Sequence, residues 1–351
     1  MPLEKDHEGM CLKPVQINDT ILIRSKHQTA WQVLGSVLSI GLFSFASYTL
    51  YTIIQKLNMD ELRASFTALS TRQMVWAGGL TILSYLMLTF YDALALREIN
   101  ARFIGYGTTA LASFTSYAVS FTLGFPLLTA GAVRLWIYGN KGLSAPKIAS
   151  LTVIAGLTFW LGMGLVLGFS LAFHANELSK LNNLSPTINL MIGSSLIGIV
   201  GAYLTFITVR PRRMNVQGWK LILPSLRVTL GQIVLGVTDV CASAGVLYVL
   251  LPENSGVTFQ IFVAAYVFGH ILGLASHAPG GAGVFEATIL LALHQTSSST
   301  LFGAIILYRI FYYLIPFVFA LFLLGIYEIR KRIKAFLSSR FDDENENSAG
   351  I

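Results

Sequence analysis

Long apolar runs separated by short polar segments dominate the chain. At about 1.5 Å of rise per residue, six of these runs are long enough to cross about 30 Å of hydrocarbon as helices. The predicted spans are Trp31–Ile54, Met74–Tyr91, Ile148–Phe173, Thr187–Val209, Val228–Leu251 and Leu301–Tyr327. The pattern therefore predicts an all-α polytopic membrane protein with about six full spans.

Two further apolar stretches, 103–133 and 254–285, contain helix-breaking residues in their interior. Proline and paired glycines interrupt helices, and irregular backbone at membrane depth is tolerated only where protein or water satisfies it. We therefore expect two re-entrant hairpins or broken helices. The residues predicted to shape the hairpin backbone are Gly124, Pro126, Gly131, Pro279, Gly280, Gly281 and Gly283.

The distribution of Lys and Arg predicts the orientation of the spans. If the N-terminus is cytoplasmic and each hairpin enters and leaves on one side, the basic clusters at 97–102, 141–147, 210–227 and 330–334 all become cytoplasmic. The opposite side then keeps only Lys56, Arg63, Arg72 and Lys180. This asymmetry is the positive-inside pattern, so we expect a multi-pass membrane protein with both termini in the cytoplasm.

The order of spans and hairpins also predicts the organisation of the chain. Residues 1–30 form a cytoplasmic tail, 31–334 the transmembrane domain, and 335–351 an acidic disordered cytoplasmic tail. The domain is predicted to consist of two halves, 31–173 and 187–327. Each half contains two spans, a broken hairpin and a third span, in that order. Three crossings per half invert the second half relative to the first, which is a layout of many secondary transporters.

Composition narrows the function classes. Only 12% of the 351 residues are charged and the mean hydropathy is +0.66, whereas soluble domains carry about 25% charged residues. The two cysteines, Cys11 and Cys241, are too few for a disulfide framework or a structural zinc site. The net charge of +7 follows from the basic loops, so we expect no nucleic-acid partner.

Five ionisable residues lie within or at the ends of the apolar runs: Asp92, Arg134, Asp239, Glu286 and Arg309. Charges at membrane depth are costly and mark functional sites. Arginine suits phosphate, as does the helix start after Gly283, and the carboxylates suit an amine or a proton. We therefore predict that the five bind or translocate substrate. Structural ion pairs are the alternative, as is an interfacial position for Asp92 and Arg134.

The remaining polar residues carry weaker signals. His270 and His277 share a helix face but lack further ligands, so no metal and no cofactor are expected. The aromatic residues at the ends of the apolar runs are expected to be interfacial anchors, and these are Trp31, Trp136, Tyr138, Trp219 and Tyr327. The fourth apolar run carries small residues at spacing typical of a helix-packing face, and these are Gly156, Gly162, Gly164 and Gly168.

Two motifs resemble the lysylphosphatidylglycerol synthase/flippase family, also called multiple peptide resistance factor. They are the segments 124–134, with sequence GFPLLTAGAVR, and 278–287, with sequence APGGAGVFEA. The resemblance covers the transmembrane domain and implies a lipid flippase module that moves aminoacylated phosphatidylglycerol between leaflets. By motif position it implies functional roles for Asp92, Arg134, Asp239 and Glu286. Full-length members also carry a soluble lysine-transferring domain, which this chain lacks, so we expect a stand-alone member that is not an enzyme.

These observations predict a translocase for a phospholipid, such as aminoacylated phosphatidylglycerol or another anionic or zwitterionic lipid. A small-solute or ion-coupled secondary transporter shares the same architecture and remains open. A membrane subunit of an aminoacyl-phosphatidylglycerol synthase system also remains open, with a separate lipid synthase as its partner. The expected partners are membrane phospholipids. The sequence leaves open whether the protein is a monomer or a homo-oligomer.

Overall fold

The computed structural model describes residues 48, 69–209, 213–216, 219–222, 224–252, 256–276, 279–293 and 298–349. The predicted cytoplasmic tail 1–30 and, apart from Tyr48, the first predicted span Trp31–Ile54 lie outside these residues. His277 lies outside them as well.

The described chain is a bundle of helices with one small hairpin. The first part contains α1 Thr71–Glu98, α2 Tyr106–Leu123, α3 Pro126–Gly139, α4 Ala145–Phe173, α5 Ala175–Asn182 and α6 Pro186–Val209. An antiparallel pair, β1 Arg213–Val216 and β2 Trp219–Ile222, follows. The second part contains α7 Leu226–Leu250, α8 Phe259–Ala275, a 3₁₀ turn Pro279–Gly281, α9 Val284–Ala292, α10 Ser298–Tyr308, a π-helical segment Arg309–Leu314 and α11 Ile315–Ala349.

The predicted all-α membrane fold is confirmed. Within the described residues, five helices are long and apolar enough to span a membrane. They are Thr71–Glu98, Ala145–Phe173, Pro186–Val209, Leu226–Leu250 and Leu301–Ile333, and they overlap the five described spans expected from the sequence. The inverted relation between the two halves stays a prediction.

The first broken helix consists of α2 and α3. Gly124 and Phe125 adopt positive φ angles of 80° and 50° between them, and Pro126 begins α3, where its missing N–H costs nothing. With 18 and 14 residues, the helices extend about 27 Å and about 21 Å, less than the roughly 30 Å of hydrocarbon. They pack against each other as a hairpin. That this hairpin re-enters one side stays a prediction.

The second break separates α8 from α9. Gly280, Gly281 and Gly283 have φ angles of 58°, 65° and 86°, a region that L side chains rarely occupy. A Cβ on Gly281 would lie 3.1 Å from the Cα of Gly273. Glycine is therefore required at this position both by conformation and by the closeness of α8.

Close glycine contacts bring α4 against its neighbours. A Cβ on Gly162 would lie 2.7 Å from the Cα of Gly236 on α7, and one on Gly168 would lie 3.1 Å from the carbonyl oxygen of Gly193 on α6. The predicted glycine packing face is thus confirmed for Gly162 and Gly168. No described atom lies within 4 Å of a Cβ built on Gly156 or Gly164. These two positions face open space.

The C-terminal end of the chain is helical where the sequence predicted disorder. The sequence predicted a disordered tail from 335, whereas α11 is helical through Ala349. The segment from Ile326 to Ala349 contains no proline or glycine, so no residue in it terminates the helix that leaves the apolar run.

Candidate functional site

The two broken helices meet at one cavity of about 340 Å³. Gly124, Phe125 and Pro126 line it from the first break, and Gly280 and Gly281 line it from the second. A cavity of this size falls in the range of small-molecule sites. The segments that the sequence marked as helix breaks therefore share one concave site.

Most of the cavity wall is apolar, and its edge reaches the outer surface of the bundle. Phe159 and Met163 of α4 and Ile271 of α8 contribute to the wall. At the edge, Trp160 is 48% exposed and Leu127 is 65% exposed. The exposed edge of the cavity is therefore formed by apolar side chains.

Arg134 is a charged residue in the cavity wall, and Asp92 holds it in place. Arg134 Nε donates to Asp92 Oδ2 at 3.0 Å, and Nη2 donates to Oδ1 at 2.6 Å. The Tyr138 hydroxyl donates to Asp92 Oδ2 at 3.0 Å. The guanidinium carbon lies 5.0 Å from the centre of the Tyr117 ring. Both charged side chains are almost completely buried, so this is a bidentate pair sealed within protein.

A second ion pair joins Glu286 of α9 to Arg309 of the π-helical segment. Arg309 Nε donates to Glu286 Oε1, and Arg309 Nη2 donates to the Gly280 carbonyl oxygen at 3.3 Å. The guanidinium carbon lies 5.6 Å from the centre of the Tyr313 ring, which lines the cavity. The pair thus connects the glycine-rich break to the π-helical segment.

The start of α9 is already occupied by the protein's own carboxylate. The Gly283 N–H donates to Glu286 Oε2 at 2.7 Å. The sequence suggested that this helix start would present free N–H groups to phosphate. The expectation is wrong for Gly283, because its N–H group already donates to the carboxylate of Glu286 in the first turn of the helix.

Asp239 differs from the other two carboxylates because its partners in the described part of the chain are hydroxyl groups and not cations. Ser84 Oγ donates to Asp239 Oδ1 at 2.5 Å, and the Tyr91 hydroxyl donates to Oδ2 at 2.9 Å. Ser84 Oγ is also 2.8 Å from the Tyr312 hydroxyl. Asp239 is 2% exposed and is absent from the residues that line the described cavity.

The expectation that Trp136 and Tyr138 are interfacial anchors is wrong. Tyr138 is fully buried on Asp92, and Trp136 is 6% exposed with its Nε1 donating to Glu328 Oε2 at 3.2 Å. Tyr138 follows Arg134 by four residues, which places both on one face of α3. That spacing was the sequence signal for Tyr138 as a partner of the ion pair.

His270 also reaches the cavity. Its Nε2 lies 3.2 Å from the Tyr313 hydroxyl, while its buried Nδ1 has no hydrogen-bond partner in the described structure. Its ring lies 4.4 Å from that of Tyr266 and 4.9 Å from that of Phe285. Among the described residues there is no cluster of three or more His, Cys, Asp or Glu that could hold a metal ion.

Comparison with known proteins gives the chain's relatives. The uncharacterized protein slr0712 of Synechocystis sp. is 30% identical over 306 residues, which cover 86% of this chain and 95% of that protein. The inner membrane protein YbhN of Escherichia coli is 28% identical over 300 residues, covering 85% and 93%. No family model matches the chain.

A longer relative matches over part of its length. A phosphatidylglycerol lysyltransferase of Staphylococcus aureus is 23% identical over 301 residues, which are 84% of this chain and 34% of that protein. From these matches and its glycine-rich motifs, the chain belongs to the lysylphosphatidylglycerol synthase/flippase-like family of membrane proteins, together with slr0712 and YbhN.

Proposed function

We propose that the protein is a lipid translocase that moves a phospholipid with an anionic or zwitterionic headgroup between leaflets. The observation that carries this proposal is the cavity where the two breaks meet, which combines apolar walls, an edge at the bundle surface and one buried arginine. A phospholipid needs a polar position for its headgroup while its tails stay in hydrocarbon. A cavity with these features meets both needs.

Arg134 is the headgroup-binding residue of this proposal. A guanidinium has five N–H donors, and Asp92 takes two of them at Nε and Nη2. Donors therefore remain for a phosphate oxygen while Asp92 keeps the arginine oriented. The carboxylate next to the arginine also suits an amine on an aminoacylated or zwitterionic headgroup.

The start of α3 adds positive potential at the same place. The N-cap residue Phe125 has no side-chain oxygen to cap this helix, and the first helical residues Pro126 and Leu127 line the cavity. The N-terminal end of a helix carries a partial positive charge. It therefore supports the preference for a phosphate-bearing headgroup.

The contact of Arg309 with Glu286 and the Gly280 carbonyl serves as a latch on the second break. When it is closed, it holds the glycine-rich turn against the cavity. The pair is partly exposed, with 28% and 14% of the two side chains accessible, so water can replace its contacts when it opens. Its release would let the turn move and the headgroup pass.

The proposal includes the setting of the protein. We place it in a bacterial inner membrane with both termini in the cytoplasm, on the basis of the basic loops and of YbhN, an inner membrane protein. Its partners are phospholipids. It acts as a translocase and not as an enzyme, and a separate lipid synthase would supply an aminoacylated substrate.

Lipid movement in vesicles tests the proposal. The purified protein is placed in phosphatidylcholine vesicles with fluorescent phosphatidylglycerol, and dithionite quenching measures transfer between leaflets. Arg134→Gln should lower the initial rate at least about tenfold, the effect of about 1.4 kcal/mol. The exposed Arg72, at the start of α1, provides the matched control, and Arg72→Gln should transport as the unaltered protein does.

A second variant covers the case in which Arg134→Gln fails to fold. Gly156 lines the cavity, and a Cβ there meets no atom within 4 Å. Gly156→Phe should therefore fill the cavity without disturbing the fold and should slow transfer by a similar factor. Transfer at the original rate in a folded Gly156→Phe protein would refute the cavity as the lipid path.

A second candidate function is that of the membrane part of a lipid-modifying system. It is favoured by the match to one third of a protein named for lysine transfer to phosphatidylglycerol. This role requires a transferase partner, and deleting the gene should then lower the total amount of aminoacylated lipid. A translocase alone predicts an unchanged total with an altered distribution between leaflets.

A further inference from the structure

Asp239 is an ionisable group that the proposed lipid path does not use. Of the three acids at membrane depth, Asp92 and Glu286 each pair with an arginine, whereas none of the described salt bridges includes Asp239. Its hydrogen-bond donors are the neutral hydroxyls of Ser84 and Tyr91. An ionised carboxylate held only by neutral groups in an apolar interior is costly, and uptake of a proton removes that cost.

The other titratable groups around Asp239 keep their protons at neutral pH. Those that interact with it electrostatically come from α1, α2, α8, the π-helical segment and α7 itself, and they are Tyr85, Tyr91, Tyr117, Tyr266, Tyr312 and Cys241. Tyrosine and cysteine side chains ionise only at about pH 8.5 and above. Among these groups, Asp239 is therefore the one that can gain or lose a proton near neutral pH.

Among the described residues, the remaining helices packed against α7 form no ion pair with Asp239. On α4 the charged residue is Lys147, in the first turn, while α6 and α10 contain no Lys, Arg, Asp or Glu. On α8, His270 contacts Tyr313 and the cavity instead. Asp239 thus has no charged partner among the described residues, while its donor Tyr91 packs edge to face against Tyr117, which lies under Arg134 at the lipid site.

A short chain of contacts nevertheless links Asp239 to that site. Ser84 Oγ contacts both Asp239 and the Tyr312 hydroxyl. Tyr312 belongs to the π-helical segment, as does Arg309, which holds Glu286 and the Gly280 carbonyl beside the cavity. Single π-helical turns inside α-helices are frequent at functional sites.

We propose that Asp239 binds and releases a proton in each transport cycle and thereby couples lipid movement to the proton gradient. A proton from water on one side forms an O–H bond with a carboxylate oxygen, and the same bond breaks when the proton leaves on the other side. The protonated carboxyl accepts the Ser84 hydrogen bond less strongly, which changes the contact of Ser84 with Tyr312. The π-helical segment then moves Arg309 relative to the glycine-rich break.

This inference rests on the proposed lipid translocation, and its test separates the two. Fluorescent phosphatidylglycerol in phosphatidylcholine vesicles is followed with and without an imposed pH difference. For one proton per lipid, the steady-state ratio between leaflets should shift by up to about tenfold per pH unit. Absence of any transfer overturns the proposed function, whereas transfer that ignores the pH difference overturns the proton coupling alone.

Variants assign the proton to Asp239. Asp239→Asn should abolish the response to the pH difference, and Asp239→Glu should restore it with a displaced pH profile. The matched control is Glu177→Gln, an exposed acid on α5, which should respond as the unaltered protein does. A full response in Asp239→Asn would overturn the assignment.

An infrared measurement keeps the proposal testable if Asp239→Asn loses all transport. Difference spectra recorded during a pH titration show the C=O stretch of a protonated carboxyl. The unaltered protein should show a titrating band that is missing in Asp239→Asn and retained in Glu286→Gln. A spectrum without such a band, or a band that survives Asp239→Asn, would refute a proton site at this residue.

Discussion

At each of the two helix breaks, an arginine lies over a tyrosine ring and pairs with an acid, but the two pairs are buried to different degrees. At the first break, Arg134 lies on the short helix α3 and its acid on the long helix α1, and the pair is sealed. At the second break, the acid Glu286 lies on the short helix α9 and Arg309 on the π-helical segment, and the pair is partly accessible.

This difference separates a fixed site from a movable one. A sealed bidentate pair cannot open without leaving charge unpaired in protein, which costs several kcal/mol. A partly exposed pair loses much less because water solvates the separated charges. The first break is therefore suited to hold a headgroup in a constant geometry, and the second to open and close over it.

The largest effect is expected from neutralising the sealed acid. Asp92→Asn leaves the Arg134 charge without its counterion and should lower the free energy of unfolding by about 3–5 kcal/mol. Glu286→Gln should lower it by about 1 kcal/mol, since that pair is partly exposed and a glutamine oxygen can still accept from Gly283. Detergent-induced unfolding in mixed micelles, followed by tryptophan fluorescence, measures both.

The double variant checks the cause of the Asp92 effect. Asp92→Asn combined with Arg134→Gln removes both buried charges and should be less destabilised than the sum of the two single variants. Equal losses for Asp92→Asn and Glu286→Gln would contradict the distinction between a fixed and a movable pair.

Substitution of a glycine at the second break should lower the free energy of unfolding by an intermediate amount, and a glycine inside α3 provides the comparison. Gly281→Ala forces a side chain onto a φ of 65° with its Cβ 3.1 Å from the Cα of Gly273, and should cost about 2 kcal/mol. Gly131→Ala, in α3, introduces a Cβ with no atom within 4 Å, and should leave stability unchanged or raise it by up to about 1 kcal/mol. The same unfolding measurement applies, and a neutral Gly281→Ala would show that the second break tolerates a relaxed backbone.

The loss of single tyrosine hydroxyls should cost less than the loss of Asp92 or Gly281. Tyr138→Phe removes a hydrogen bond to a buried carboxylate and should cost about 1.5 kcal/mol. Tyr313→Phe removes the 3.2 Å contact between its hydroxyl and His270 Nε2, and should cost about 0.5 kcal/mol. A reversal of this order in parallel unfolding curves would argue that the second site, not the first, is the rigid one.

The sequence predicted much of the fold through local signals. Four of the described spans begin and end within about seven residues of their predicted bounds, because an apolar run in a bilayer must satisfy its backbone as a helix. The helix breaks were equally local, since Gly124, Pro126, Gly280 and Gly281 change backbone geometry by their own chemistry. The hairpin between α6 and α7 carried no comparable signal.

The partners of the charged residues could not be predicted in this way. The sequence picked Asp92, Arg134, Asp239, Glu286 and Arg309 because each charge interrupts or ends an apolar run. It did not identify Ser84 or Tyr312, because a serine or tyrosine inside an apolar run is not costly enough to stand out. The prediction that Trp136 and Tyr138 are interfacial anchors was wrong for a related reason. Tryptophan and tyrosine occur both at membrane interfaces and in buried hydrogen-bond networks, so the residue type alone does not distinguish the two positions.

By itself, the sequence determined that this is an all-α membrane protein with helices interrupted at two glycine-rich sites, because bilayer thickness and helix geometry act along the chain. The tertiary structure decided which charges neutralise each other. Asp92 meets Arg134 across 42 positions, whereas Asp239 meets Ser84 across 155 positions and pairs with no cation in the described structure. Such pairings depend on which helix faces touch, and packing of distant segments fixes those faces.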